Sequence, residues 1–312
     1  MPTEPIREIY PETAGDAKVM EILGRWADGV QECVSFGTHV AKWCMDNPPW
    51  RDERSLPVLL SFRHALEILD SISVLIWHGL ADPCKILLRS LFETWMGIEY
   101  IVQKDSGRRA MSFLVWHVKR KRKSYLQLLE NSPENKQFRA ALEEDSLGLL
   151  DNIRPIDGIS RYIDRLNRLL GKPMYQKVDQ EFERVQKAHK RNPNWFSLYD
   201  GPRDIKQLAE KLGHSGIYET LYRFFSATTH GMDVVDHKIS RGDKGLTNIV
   251  QIRFALHAQN LTSLAISFAL SLFRTMIKFH KPDCKPKLEE WYAREIRDLQ
   301  MWLISGDIIK ET

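Results

Sequence analysis

Apolar residues recur at intervals of three and four along nearly the whole chain, and no segment alternates apolar and polar residues with the Val, Ile and Thr content of a strand. The pattern therefore predicts an all-α protein built as a multi-helix bundle. Val19, Ile22, Leu23, Trp26, Val30 and Val34 make the first amphipathic stripe. The run NPPWRDERSLP ends it, because the two prolines after Asn47 cannot continue a helix. A second helix is read from about Leu56 to His78. Gly79 stops it, and Asp82 followed by Pro83 offers an N-cap and a first-turn proline for a third helix through about Gln103. These two helices are predicted to form an antiparallel hairpin.

Ser106 opens a helix to about Glu130, and Ser132 with Pro133 opens another of about 15 residues. After Gly148 the chain turns polar. The stretch 151–195, punctuated by Gly171, Pro173 and Pro193, holds two helices and reads as a peripheral insertion in a single helical domain spanning 1–312. Asp204 starts a short helix ending at Gly213, and a further helix follows from Ser215. The loop SRGDKG then precedes a long apolar helix from about Asn248 to Phe279, and a last helix runs from Pro286 to Leu303. The predicted bundle packs the helix 2–3 hairpin beside the helix from Ser215 and the long helix from 248.

Composition, at 43% hydrophobic and 28% charged residues, is that of an ordinary globular protein. No uncharged apolar run approaches the roughly 18 residues a bilayer span requires. The longest, Leu261 to Phe273, reads as a core helix, so no membrane partner is expected. The start MPTEPIREIYPE lacks the basic and apolar regions of a signal peptide, which gives a cytoplasmic expectation. Cysteines at 33, 44, 84 and 284 have neither zinc-site spacing nor disulfide-scaffold density, and read as reduced, packed thiols. A net charge of +4 permits nucleic acid as a partner without arguing for it, so local clusters matter more.

The segment YETLYRFFSATTHG, residues 218–231, carries the most chemistry. On a continuous helix Arg223 and His230 lie about 20° apart in azimuth and roughly 10 Å apart along the axis, with Ser226 between them. A histidine can take a proton from a ribose 2′-hydroxyl and an arginine can hold a phosphate through paired donors, so the pair suits metal-free phosphodiester cleavage. The same residues also fit an ion pair at Arg223 and a helix end at His230, since Gly231 favours termination. Arg89 and Glu93 are spaced i, i+4 among Leu87, Leu88, Leu91, Phe92 and Trp95. Glu93 either pairs with Arg89 or orients Arg223 or His230 across a helix interface.

Two basic clusters stand apart from that segment. Lys119, Arg120, Lys121, Arg122 and Lys123 are consecutive, so they spread around a helix and part of the run must face solvent. They are either a solvated face or a seat for a phosphate backbone. Lys187, His189, Lys190 and Arg191 precede Trp195 and Phe196, of which Trp195 reads as a core anchor. The spacing of His230, Asp233 and His237 would converge on a metal only if the helix passed Gly231, and no metal or other cofactor is assigned. Ser226 with His230 invites a nucleophile reading, but no glycine-framed turn surrounds the serine.

The run LLRSLFETWMGIEYI, 87–101, with the later WFSLYDGPRDIKQLAEKLGHSGIYETLYRFFSATTHG, 195–231, resembles an uncharacterised family of prokaryotic helical proteins. The shared features are an R-S-L-x-E helix and a Y-R-x-x-S-x-x-x-H-G block. The second block is also similar to the motif of the HEPN superfamily, whose ribonucleases place an arginine shortly before a histidine near a helix end and often cut RNA as dimers. Phe224 departs from the polar residue those nucleases usually carry after the arginine. The resemblance implies an HEPN-like core and a homodimeric ribonuclease serving as a toxin or phage-defence effector. In that reading His230 and Arg223 react, Ser226 and Glu93 tune them, and Arg89, Tyr222 and residues 119–123 bind RNA. The alternative is a non-catalytic helical adaptor for RNA, a nucleotide or a partner protein.

Overall fold

The computed structural model describes residues 17–46, 52–148, 156–232, 239–241, 247–249, 252–253, 255–306 and 308–309. They form an all-α, multi-helix fold in two compact units, Met1–Gln103 with Ala209–Thr312 and Lys104–Leu208. The segment 151–195 belongs to the second unit, which starts well before it and ends after it.

The first unit begins with α1 (Ala17–Met45), which buries Leu23, Trp26, Val30, Cys33, Phe36, Val40 and Cys44 along one face, the three-and-four spacing of an amphipathic helix. Pro57 sits in the first turn of α2 (Leu56–Trp77), where no amide donor is needed. The chain reverses through Gly79, whose amide donates to Ile76 O at 2.9 Å while that of Leu80 donates to Leu75 O at 2.8 Å. It continues as α3 (Ala81–Gln103). Asp82 stands inside the first turn rather than capping it, and its carboxylate takes Lys85 Nζ at 2.8 Å.

The second unit holds α4 (Ser106–Leu128), α5 (Pro133–Glu143), α6 (Ile159–Leu170) and α7 (Pro173–His189). Ser132 Oγ caps α5 by accepting the Asn135 amide at 2.9 Å. Its core joins Met111, Val115 and Val118 of α4 to Tyr175, Val178, Phe182 and Val185 of α7. Trp195 is buried, with its ring edge-on to Phe113 at 5.4 Å.

The division between the units falls within α8 (Ile205–Leu212). Next come the short α9 (Ser215–Ile217), a π-helical turn Tyr218–Tyr222, and α10 (Arg223–Thr229). Two three-residue strands follow, β1 (Ile239–Arg241) and β2 (Thr247–Ile249), paired antiparallel with Ile239 opposite Ile249. They occupy part of the region read as a loop and the start of the long helix. Three residues are too few for a period-two pattern to register. The long helix, α11 (Ala258–His280), accordingly begins ten residues later than the spacing predicts. The last helix is also divided, into α12 (Lys285–Trp291), a π-helical turn Tyr292–Ile296, and α13 (Arg297–Leu303).

In this unit α1 packs on α2 and α11, and α3 packs on α2, α10 and α11. Trp26, Phe62, Phe92 and Phe273 are fully buried there, and Phe36 stacks on Trp291 at 4.0 Å. When up to two charges are tolerated, one 18-residue window in α11 is long and apolar enough to cross a bilayer, although 67% of it is buried inside the protein. All four cysteines are free and buried, and burial pushes the Cys44 and Cys84 thiols up to about 12. They are poor nucleophiles near neutral pH.

His280 ends α11 in a place where two effects oppose. The helix dipole favours a charged imidazole by about 0.3–1 kcal/mol. Burial lowers its pKa to about 4 from an ordinary 6.5, equivalent to roughly 3 kcal/mol, and therefore wins. Because the folded pKa lies below the unfolded one, this contribution is intact above pH 6.5 and is lost as pH falls from there toward 4. Urea midpoints measured across that window are expected to fall more for wild type than for His280→Gln. Parallel profiles for the two proteins would count against this account.

Candidate functional site

Arg89 and Glu93 lie one turn apart on α3, and the helix buries Leu88, Leu91, Phe92 and Trp95 on either side of them. Facing them, the π turn and α10 bury Tyr222 and Phe225 and half-bury Ser226. Four polar side chains therefore meet at an otherwise apolar interface. The Arg89 guanidinium donates through Nη1 to Ser226 Oγ at 3.1 Å and through Nη2 to the Tyr222 hydroxyl at 2.9 Å. Its Nε reaches Glu93 Oε1 at 3.3 Å, and the Tyr222 hydroxyl donates to that same oxygen at 2.8 Å. The guanidinium carbon stands 4.6 Å from the Tyr222 ring centroid, and Tyr218 stacks on Tyr222 at 4.9 Å.

The electrostatics follow from that wiring. Burial, then the hydrogen bond and charge of Glu93, push the Tyr222 hydroxyl up to about 12 against the opposing pull of Arg89. Tyr222 thus stays protonated and able to donate. Burial works against the charge on Arg89, but Tyr222 and Glu93 outweigh it and hold its pKa above the usual range. Among the described residues, three of the five guanidinium N–H groups are engaged, and one on each terminal nitrogen is left over for another acceptor.

Two backbone features position the rest. In the π turn the Arg223 amide donates to Tyr218 O, so one extra residue separates the bonded groups. At the other end α10 closes on a Schellman motif: the Met232 amide donates to Ala227 O at 3.0 Å and the Gly231 amide to Thr228 O at 3.1 Å. Gly231 takes φ +63, a conformation that favours glycine. His230 is thereby fixed as the C-cap just after the helix, with its side chain exposed.

An ideal helix extended through Tyr222 and His230 would put His230 about 20°, Ser226 about 60° and Tyr222 about 100° from Arg223, all on one side. Arg223 and His230 are both exposed. Arg223 is 68% exposed, and Nη1 binds Glu219 Oε2 at 2.9 Å. Glu93 serves Arg89 and Tyr222, leaving Arg223 to Glu219. The partner of Arg223 is legible as an i, i+4 spacing in YETLYR, a signal overshadowed by the longer Arg223 to His230 spacing. Among the described residues no hydrogen bond orients the His230 ring.

A second polar contact in the same unit is not evident in the spacing. Gly213, at φ +84, ends α8 in another Schellman turn, with the His214 amide on Ala209 O at 2.8 Å. His214 Nε2 lies 3.0 Å from Glu99 Oε2, and its ring lies 4.6 Å from that of Trp95. The Gly213 turn therefore aims a histidine at α3.

The basic run lies in the second unit and divides by function. Lys119 Nζ binds Asp179 at 2.5 Å and lies 3.6 Å from Glu183. Arg122 Nε donates to Asn167 Oδ1 at 2.6 Å, Arg120 lies 4.4 Å above the Trp116 ring centroid, and Lys121 lies 5.8 Å from that of Tyr125. Lys123 is exposed. Among the described residues no three His, Cys, Asp or Glu side chains cluster as metal ligands. Asp233 and His237 lie outside the described residues.

Neither the curated proteins nor the solved structures contain a match to the chain. The two blocks that meet at Arg89, Glu93, Tyr222 and Ser226 both fall inside residues 56–246, which match the model of a family of unknown function, DUF5677. The chain belongs to the DUF5677 family.

Proposed function

We propose that the protein is a metal-independent, HEPN-like ribonuclease whose reacting groups lie along the solvent edge of α10. One observation carries this reading: Arg223 at the start of α10 and His230 at its C-cap are both exposed, on the segment that carries a polar cluster fixed by a residue more than 130 positions away in sequence. An imidazole and a guanidinium presented together to water can act on one phosphodiester.

In the proposed reaction His230 takes the proton of a ribose 2′-hydroxyl as its oxygen attacks the adjacent phosphorus. The bond to the 5′-oxygen breaks, that oxygen receives a proton, and a 2′,3′-cyclic phosphate remains. Arg223 and the two remaining N–H groups of Arg89 neutralise charge on the phosphoryl oxygens. Tyr222 and Glu93 hold Arg89 in register, and Ser226 anchors one of its terminal nitrogens. Pairing of two chains would bring a second His230 to serve as the acid. A toxin or phage-defence role belongs to the same reading.

The test is purified protein with mixed RNA in chelator, comparing wild type with Arg223→Ala and His230→Ala. Cleavage by wild type alone supports the site, and equal cleavage by all three removes it. The pairing of Arg223 with Glu219 favours a second reading, a non-catalytic adaptor that binds RNA, a nucleotide or a partner protein through the same segment. An adaptor would bind without turnover and keep binding in His230→Ala.

A further inference from the structure

We propose that the second unit carries a groove for single-stranded RNA, lined by α4, α6, α7 and the segment 192–194, and this rests on the ribonuclease reading. The cavity has a volume of about 1040 Å³, at or beyond the upper end of the roughly 300–1,000 Å³ typical of small-molecule sites. Its size suits a stretch of polymer better than a metabolite.

Its charge argues for a strand held lightly by its phosphates. Four cations and three carboxylates line it. Lys119 is already occupied by Asp179 and Glu183, which leaves Arg120, Arg122 and Lys123 to face a ligand. Three cations opposite acidic residues are too few to hold the dense charge of a duplex, but they can anchor two or three phosphates of a single strand.

The rest of the lining suits bases. Six amides line the groove; Asn167 accepts from Arg122, Gln186 donates to Asn192, and Asn194 donates to Arg203 O, while Gln127 and Gln176 carry both donors and an acceptor, the complement needed for the edges of unpaired bases. The planar Arg120 guanidinium lies on Trp116 at 4.4 Å, and its outer face is a platform on which a flat base can stack. A neutral saccharide would require a bare aromatic face, and Arg120 covers that of Trp116. Arg122 is oriented by its bond to Asn167, so its two terminal nitrogens keep a fixed direction.

The experiment uses the full chain in chelator with a fluorescent 2′-O-methyl oligouridine, which lacks the attacking hydroxyl and therefore reports binding without cleavage. Anisotropy should give tighter binding to the single strand than to the same oligomer in a duplex. The salt dependence should correspond to two or three phosphates, a slope of roughly −0.7 for each. Arg120→Glu and Lys123→Glu should each weaken binding by about tenfold or more, with unchanged melting temperatures because both side chains are exposed. Arg120→Lys, which keeps the charge but loses the plane, should fall between wild type and Arg120→Glu. His230→Ala should bind within about twofold of wild type.

Equal binding by the Arg120→Glu and wild-type proteins overturns the groove, as does a preference for duplex or for a neutral oligosaccharide. The two proposals fail separately. Binding that follows this pattern without cleavage of ordinary RNA leaves the groove and removes the ribonuclease; cleavage unaffected by loss of Arg120 and Lys123, with binding also unaffected, does the reverse.

Discussion

Arg89→Ala is expected to destabilise the first unit by about 1–3 kcal/mol and to remove RNA cleavage together with it, a larger effect than any single change on the exposed edge of α10. Arg89 is only 21% exposed and bonds three side chains at once, two of them on the facing helix. Its removal leaves the Ser226 hydroxyl without that donor and the Glu93 carboxylate with Tyr222 as its remaining partner in the cluster. Lysine should restore only part of the loss, because a single ammonium cannot serve three acceptors in the plane of a guanidinium. Stability would be read from denaturant midpoints and the contribution of the network from a double-mutant cycle with Tyr222→Phe. Coupling in the range of about 0.5–3 kcal/mol marks a cooperative cluster. Coupling indistinguishable from zero would mean that the four groups are neighbours and nothing more.

The helices with strong punctuation are legible before any coordinates are seen. Gly79 and Pro83 bracket the α2–α3 hairpin, and Ser132 with Pro133 opens α5, because each of these residues has a local steric or hydrogen-bonding reason to sit where it does. What the pattern does not reveal is also physical. A π turn adds one residue without disturbing apolar periodicity enough to be seen, so both Tyr218–Tyr222 and Tyr292–Ile296 read as continuous helix. The ten-residue error at the start of α11 arises because strand residues such as Ile249 extend an apolar run as well as helical ones do.

The site was legible in its parts and not in its wiring. The R-S-L-x-E and Y-R-x-x-S blocks mark residues that meet between α3 and the helix facing it, yet nothing in the spacing says that Arg89 reaches Ser226 while Arg223 turns to Glu219. Both arginines have an acidic residue at i±4, and only the packing of α3 against α10 determines which of them is enclosed. Of the two roles read for Glu93, the pairing with Arg89 holds and the orientation of Arg223 or His230 does not. It does pair with Arg89, and through that pairing it also fixes a hydroxyl donor from the facing helix. The basic run separates similarly, with Lys119 taken up by Asp179 while Lys123 remains exposed.

His230→Ala should leave the fold and RNA affinity close to wild type while lowering cleavage by about 10²–10⁴-fold, the range a positioned general base or acid contributes. The separation of the two effects follows from geometry: His230 is exposed, its backbone is set by the Gly231 turn, and no described side chain depends on its ring. Arg223→Ala should differ in kind. Its guanidinium is offered to the phosphate in both the bound and the reacting state, so KM should rise along with a fall in kcat. Glu219→Gln supplies the opposite sign, because it releases Arg223 from its 2.9 Å ion pair and leaves the guanidinium free for substrate. Faster cleavage in Glu219→Gln, abolished again by adding Arg223→Ala, would tie the effect to that one cation. If His230→Ala cuts RNA at the wild-type rate, the imidazole has no part in the chemistry and the edge of α10 is a binding surface.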